Sequence, residues 1–254
     1  MKIALVTGAS SGIGAAFVRR LDQLGGLDEI WGVARREGRM AGLAAQLRTP
    51  MRTLALDLTK MESVEALRAL LDAERPEVAV LVTAAGFGKF GTCADMTLQE
   101  TVDMVDLNCR AAVAVTAAVL PHMGRGSRVL EICSSAAFQP LPGFNVYAAT
   151  KAFLLRYSRA LRWEAATRGI RVTAVCPGWV RTEFMDVARD TKNGRTVRCF
   201  PFALRAETVA RRALRDSRWM AVTTCGLPAL VQRAASKLLP HCLIMACWEG
   251  LRRL

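Results

Sequence analysis

Tyr147 and Lys151 stand four residues apart in a segment, 146–166, whose apolar spacing predicts a helix. At this spacing both side chains project from one face of the helix. A tyrosine with an ordinary pKa of about 10 is a poor acid or base at neutral pH, and a nearby ammonium favours the phenolate. We therefore expect Lys151 to prepare Tyr147 for proton exchange with a substrate oxygen. The pair alone is weak evidence, since a surface tyrosine beside a solvated lysine has the same spacing.

Three further polar residues could take part in the same chemistry. Ser134 and Ser135 follow a predicted strand that precedes this helix, and either hydroxyl could donate a hydrogen bond to an oxyanion developing on a substrate. Asn108 lies inside a long predicted helix, where asparagine is intrinsically disfavoured. It is either a polar residue that bends the helix or a functional one.

A glycine-rich turn, from Gly8 to Gly14, joins the first predicted strand to the first predicted helix. Glycines let a backbone turn tightly and approach a pyrophosphate, whose charge is met by the amides of a helix N-terminus. The spacing G-x-x-x-G-x-G differs from the general dinucleotide fingerprint G-x-G-x-x-G. The turn therefore shares the role of the fingerprint glycines but not their spacing. A purely structural strand-to-helix turn is the alternative.

The elements that must position these residues form an alternating pattern. Strand-like runs occupy 2–7, 29–34, 52–56, 78–83, 127–133 and 171–176, and helix-like runs occupy 13–24, 40–47, 64–73, 98–120 and 146–166. The strands are continuous apolar runs, as expected where helices cover both faces of a sheet. This pattern predicts an α/β fold, a Rossmann-like doubly wound parallel sheet in a single domain. Its ligand crevice would lie at the carboxyl ends of the strands, where the glycine turn and the serines fall.

The string from Thr7 to Gly14 resembles the cofactor turn of the short-chain dehydrogenase/reductase family, and the resemblance extends to about residue 184. It implies hydride transfer between a nicotinamide cofactor and a carbonyl or hydroxyl carbon. The catalytic residues that it implies are Asn108, Ser134, Tyr147 and Lys151. Aligning the prolines of the loop 136–145 with those of the family favours Ser134 over its neighbour Ser135. In the family the asparagine holds a water in a proton relay with the lysine.

The resemblance also assigns residues to the cofactor. They are Gly8, Ser10, Ser11, Gly12, Ile13, Gly14, Asp57, Leu58, Ala85, Gly86, Tyr147, Lys151, Pro177, Gly178, Val180 and Thr182. One departure stands beside them: Thr83 and Ala84 occupy positions where the family usually has two asparagines. Hydrogen bonds at that strand end are therefore expected to differ.

The second predicted strand ends in Ala34, Arg35 and Arg36, and no carboxylate stands where one would bind the ribose 2′-hydroxyl of NAD. Two guanidiniums could pair with a 2′-phosphate in fork geometry. We therefore expect NADP(H), with Arg35 the favoured contact. Two ordinary solvated arginines are the alternative.

Composition limits the other classes. A hydrophobic content of 52% with 22% charged residues fits a packed domain and not a disordered chain. No apolar signal core is found near Met1 and no run approaches a membrane span, so a cytoplasmic protein is expected. The eight cysteines include no C-x-x-C pair and fit small core residues, His122 and His241 have no ligand-spaced partners, and no metal site is expected.

The residues after the catalytic motifs bear on substrate and partners. Cys199, Phe200 and Phe202, together with Phe184 and Met185, suggest an apolar pocket for a lipophilic ketone, steroid or acyl chain. We expect the catalytic domain to span 1–226. A basic, apolar extension, 227–254, would pack on that domain or on a sister subunit, or less favourably contact an anionic membrane surface.

Relatives are commonly dimers or tetramers, so a homo-oligomer is expected. The net charge of +13, most of it in the last quarter of the chain, comes without a nucleic-acid recognition motif, and no nucleic-acid partner is expected. The alternative to a reductase is a catalytically idle NADP-binding sensor or interaction module. The four catalytic residues favour the enzyme.

Overall fold

Seven parallel strands form the central sheet of the computed structural model, which describes residues 1–191 and 202–253. These strands are β1 (Lys2–Thr7), β2 (Glu29–Ala34), β3 (Met51–Ala55), β4 (Glu77–Thr83), β5 (Arg128–Ile132), β6 (Arg171–Pro177) and β9 (Val222–Cys225). Their order in space is β3-β2-β1-β4-β5-β6-β9. The strand order therefore reverses between β1 and β4, which is where a doubly wound sheet opens its ligand crevice. The predicted fold class is confirmed.

Helices cover both faces of this sheet. They are α1 (Gly12–Leu24), α2 (Glu37–Ala44), α3 (Met61–Glu74), α4 (Leu98–Val105), α5 (Ala112–Val119), α6 (Asn145–Ala166), α7 (Phe184–Arg189), α8 (Ala206–Asp216), α9 (Leu227–Leu238) and α10 (His241–Arg253). A π-helical turn (Asp106–Ala111) joins α4 to α5, and two short strands, β7 (Val180–Arg181) and β8 (Leu204–Arg205), pair with each other.

The continuous apolar strands contribute side chains to two hydrophobic cores, one on each face of the sheet. In β1, Ala4 and Val6 pack with α1 and α8, while Ile3 and Leu5 pack with α3 and α5 on the opposite face. All four are completely buried. Both sheet faces therefore need apolar residues, which is why these strands lack a two-residue polar alternation.

The expectation that no run of the sequence approaches a membrane span was wrong. The continuous helical run Leu98–His122 is long and apolar enough to cross a bilayer by length and composition, and it is the only such helix in the described part of the chain. In the structure Val115 and Val119 of this run are buried against the sheet. The run is therefore a core helix of the doubly wound fold.

The C-terminal extension packs against the domain through a few buried contacts. Ala229 of α9 and Ile244 of α10 are buried, and the Trp248 indole donates a hydrogen bond to the carbonyl of Pro142 at 2.8 Å. These contacts join α9 and α10 to the rest of the chain. Of the residues expected to close an apolar pocket, Cys199 and Phe200 lie outside the described residues.

Candidate active site

The glycine turn lies at the carboxyl end of β1 and has a backbone suited to a phosphate. Gly8 has a φ of +66°, in the left-handed region that favours glycine. A Cβ placed on Gly14 would lie 2.2 Å from the carbonyl oxygen of Gly8, so only glycine fits there. Ser11 precedes the first residue of α1, and its side chain makes no capping hydrogen bond. The first-turn amides of α1 can therefore bind a pyrophosphate.

Tyr147 and Lys151 lie on one face of α6, as predicted, and both are buried. The ammonium nitrogen of Lys151 lies 5.7 Å from the centre of the Tyr147 ring and donates a hydrogen bond to the carbonyl of Ile132 at 2.8 Å. Burial raises the pKa of Tyr147 well above its ordinary value, and burial lowers the pKa of Lys151. We expected a lowered tyrosine pKa; here it is raised overall, because desolvation outweighs the hydrogen bond with Ser134.

Ser134 follows β5 and lies beside the tyrosine. Its hydroxyl accepts a hydrogen bond from the amide of Ala136 at 3.1 Å. A hydrogen bond between Ser134 and Tyr147 acts against burial and lowers the tyrosine pKa. Ser135 begins the short 3₁₀ helix that follows, Ser135–Phe138. Of the two serines, Ser134 is therefore the one whose hydroxyl meets the phenol.

Asn108 lies in the π-helical turn and is almost completely buried. Its amide donates to the carbonyl of Phe87 at 2.8 Å and to the Thr150 hydroxyl at 3.1 Å, while its oxygen accepts from the amide of Phe87 at 3.1 Å. These bonds hold the loop after β4 against the start of α6. The predicted role in holding a relay water is untested, and in this structure the side chain is occupied by protein partners.

A buried carboxylate that the sequence analysis did not single out lies beneath the site. Glu131 of β5 is completely buried and accepts hydrogen bonds from the hydroxyls of Thr83 and Thr116, the latter at 2.8 Å. Burial raises its pKa to about 7, while the two hydroxyls and the charge of Lys151 act in the opposite direction. The unusual Thr83 thus has a buried partner. A glutamate inside an apolar strand was the signal that could have revealed it.

The end of the crevice at the glycine turn is crossed by an ion-pair cluster. Arg36 donates to the hydroxyls of Ser10 at 3.2 Å and Ser11 at 2.6 Å and pairs with Glu183 at 2.8 Å. Arg39 of α2 pairs with the other oxygen of Glu183. Arg39 and Glu183 were missed by the sequence analysis, because Glu183 lies far along the chain from both arginines.

Arg35, the residue favoured for the phosphate, lies close enough to Asp57 for its charge to act on that carboxyl. Burial alone would raise the pKa of the Asp57 carboxyl, but hydrogen bonds from Thr59 and the charge of Arg35 lower it overall. The Asp57 carboxylate accepts from the Thr59 amide at 3.1 Å and from its hydroxyl at 2.8 Å. These contacts shape the loop after β3 that carries Leu58.

A single cavity of about 1180 Å³ runs along these residues. Nearly all of the predicted catalytic and cofactor residues lie on its wall, whereas Asn108 lies behind it. The end beyond Tyr147 is lined by Phe87, Phe144, Trp179 and Trp248. The cavity exceeds the roughly 300–1,000 Å³ typical of a single ligand, so a dinucleotide and a substrate can share it.

The described cysteines differ in exposure, and Cys109 is half-buried. Cys133, Cys176 and Cys225 are buried, as expected of small core residues, but Cys93, Cys242 and Cys247 are exposed. The expectation of core placement was therefore wrong for the exposed cysteines. In the ranges that the structure describes, no cluster of three or more histidine, cysteine or acidic residues could hold a metal ion.

Comparisons with known proteins agree with this geometry. The sequence profile described as short chain dehydrogenase matches residues 2–193. Serine 3-dehydrogenase of Agrobacterium fabrum is 38% identical over 184 residues, which cover 71% of this chain and 72% of that protein. The solved structure of a short-chain dehydrogenase from Sphingobium yanoikuyae in complex with NADPH is 30% identical, with a TM-score of 0.81. The match covers 96% of this chain and 95% of the Sphingobium chain.

Proposed function

Because the chain belongs to the short-chain dehydrogenase family, we propose that it is an NADPH-dependent oxidoreductase that reduces a lipophilic carbonyl compound to a secondary alcohol. The observation that carries the proposal is that Ser134, Tyr147 and Lys151 line the same cavity as the glycine turn. An idle NADP-binding module would have no chemical need for this arrangement.

The residues of the chain divide the work of the reaction. When bound, the reduced nicotinamide supplies the hydride that the carbonyl carbon receives. The Ser134 hydroxyl donates a hydrogen bond to the carbonyl oxygen, and the Tyr147 phenol gives that oxygen its proton. The raised tyrosine pKa keeps the phenol protonated at neutral pH, which suits the reductive direction. The phenolate left on Tyr147 then takes up a proton from solvent on the side of the ring that faces Lys151.

The preference for NADP(H) rests on charge. Arg35 and Arg36 both lie on the cavity wall at the end of β2, where a carboxylate would favour NAD. Arg36 is already held against the serines of the glycine turn, so its guanidinium is positioned to meet a 2′-phosphate. The NADPH complex of the Sphingobium neighbour supports the same cofactor here.

The substrate class rests on the apolar end of the cavity. Aromatic and aliphatic side chains from three parts of the chain surround it, including Phe144, Trp179 and Ile244. The family profile ends at residue 193, so α9 and α10, which form part of this wall, lie beyond it. A lipophilic ketone, steroid or acyl chain therefore suits this cavity better than the small amino acid named for the Agrobacterium relative.

Two further features of the protein are proposed with this function. Leu98, Val102 and Val105 of α4 and Phe153 of α6 are exposed apolar residues, which supports association into a homodimer or homotetramer. A cytoplasmic location is the second, in keeping with the free cysteines of the described residues.

The deciding experiment is an NADPH-consumption screen of the purified protein against ketosteroids, β-ketoacyl thioesters, quinones and small aldehydes. Turnover with a lipophilic carbonyl supports the proposal. NADPH binding without turnover of any member of the panel would favour the idle module, and turnover of small aldehydes alone would overturn the proposed substrate class.

A further inference from the structure

The helices α9 and α10 expose a dense group of large apolar side chains, which we call the tail patch. Its members are Leu227, Leu230, Val231, Leu238, Leu239 and Leu243. Their exposed fractions range from 40% for Leu230 to 81% for Leu238. Such a concentration of exposed aliphatic residues within 17 residues of chain marks a contact surface and not ordinary scatter.

The opposite faces of these two helices are fixed to the domain. Ala229 and Ile244 are buried, and Arg233 donates to the Thr224 hydroxyl at 3.0 Å while its guanidinium lies 5.7 Å from the centre of the Phe138 ring. The tail patch is therefore the face left over after the helices have packed. It cannot be buried by closer packing of the same helices on the domain.

The tail patch is continuous with the entrance of the active-site cavity. Leu227 and Val231 are 73% and 60% exposed, yet both also line the cavity. Cys247 of α10 is likewise exposed and on the cavity wall. Whatever covers the tail patch therefore lies against the opening through which a substrate reaches Tyr147.

We propose that the tail patch docks on an anionic lipid bilayer, from which a lipophilic carbonyl substrate enters the cavity. A second copy of the chain seated on the patch would bury Leu227 and Val231 and block the entrance. A bilayer surface covers the same leucines and also holds the substrate class proposed above, so the entry step rests on the proposed function.

Charge favours an anionic surface. Lys237 is exposed within the tail patch segment, the net charge of the chain is +13, and Arg252 and Arg253 follow in the sequence. Basic residues beside an apolar helix face add electrostatic attraction to anionic lipids. The bilayer is therefore expected to contain acidic headgroups.

The test is flotation of the full-length protein with phosphatidylcholine vesicles that contain phosphatidylglycerol, and with vesicles of phosphatidylcholine alone. The variant carries Leu238→Glu and Leu243→Glu, which place charges in the patch without touching the buried face. Leu24→Glu is the matched control, since Leu24 is 49% exposed at the end of α1 and Leu243 is 54% exposed. Melting temperatures establish that all three proteins are folded.

We expect the wild type and Leu24→Glu to float with the acidic vesicles and the patch variant to lose at least about tenfold of its bound fraction. Binding to phosphatidylcholine alone should be weaker. A wild type that stays with the unbound protein, or a patch variant that floats as well as the wild type, would overturn the proposal. A patch variant whose only change is a smaller sedimentation coefficient would make the patch an interface between copies.

Flotation needs no turnover, so this proposal and the proposed function can fail separately. A protein that reduces carbonyl compounds in solution but never floats would refute docking alone. A protein that floats through the tail patch but consumes no NADPH with any carbonyl would refute the proposed function alone.

Discussion

The ammonium of Lys151 lies 5.7 Å from the centre of the Tyr147 ring, and both side chains are removed from water. Burial favours the neutral form of each group, so the pKa of the phenol rises and the pKa of the amine falls. A phenol that holds its proton is an acid ready for donation. In the proposed reduction, this phenol is the group that protonates the oxygen of the substrate.

Replacing Tyr147 by Phe should remove the proton donor and keep the ring in place. We expect kcat to fall roughly 10²–10⁴-fold, the usual contribution of acid catalysis, with the Kd for NADPH near its wild-type value. The matched control is Tyr157→Phe. This is the same change at a position further along α6 and should leave kcat close to normal. Steady-state NADPH consumption and a fluorescence titration measure the two quantities. Retained turnover in Tyr147→Phe would remove the tyrosine from the mechanism.

Asn108→Ala should destabilise the fold as well as slow the reaction. The change leaves the amide and carbonyl of the half-buried Phe87 without the partners that they have at 3.1 and 2.8 Å. Each lost hydrogen bond contributes about 0.5–1.5 kcal/mol, so the two together predict a loss of about 1–3 kcal/mol in the free energy of unfolding. Urea denaturation measures it. Asn145→Ala, at an exposed position, should cost less than about 1 kcal/mol, and equal losses in both variants would contradict this account.

The sequence carries enough local information to predict much of this site but not all of it. The strands, the glycine turn and the Tyr147–Lys151 pair follow from periodicity and spacing within short segments. The burial of Glu131 depends on hydroxyls from β4 and α5, and the position of Glu183 depends on arginines that lie 147 and 144 residues away. Likewise, the sign of the Tyr147 pKa shift depends on how completely the fold excludes water. Apart from the place of Glu131 in an apolar strand, these tertiary effects have no local signature.

Arg35 and Arg36 can be distinguished by their effects on the two nicotinamide cofactors. Arg36→Ala should raise the Kd for NADPH about tenfold or more and change the Kd for NADH little, because a charged hydrogen bond to phosphate is lost. Arg35→Ala should have the same direction of effect. Titration of each variant with both cofactors measures this. An equal loss for NADH would show that the arginines support the glycine turn and do not read the phosphate.

Glu183→Gln should strengthen NADPH binding. The carboxylate neutralises Arg36 and Arg39 and would repel a 2′-phosphate, whereas glutamine keeps hydrogen-bonding capacity without the charge. Because the pair is half exposed, we expect a fall in the Kd for NADPH of up to about fivefold and no change for NADH. Glu65→Gln, exposed on the opposite side of the sheet, is the control. Weaker NADPH binding in Glu183→Gln would mean that the carboxylate mainly positions the arginines.

Glu131→Gln should change how stability depends on pH. The folded chain holds the Glu131 pKa at about 7, above the ordinary 4.5, so between these values it binds more protons than the unfolded chain. The free energy of unfolding of the wild type should therefore fall as pH rises from about 5 to about 8, by up to about 3 kcal/mol from this group.

Glutamine accepts and donates hydrogen bonds with Thr83 and Thr116 but does not titrate. The stability of the variant relative to the wild type should therefore increase as pH rises across this interval. Urea denaturation at about pH 5 and about pH 8 gives the difference between the two proteins. Groups that titrate equally in both proteins cancel from it, and Glu164→Gln, exposed on α6, should show no such change. A constant difference between wild type and Glu131→Gln would mean that the carboxylate stays ionised throughout, held by the two hydroxyls and the charge of Lys151.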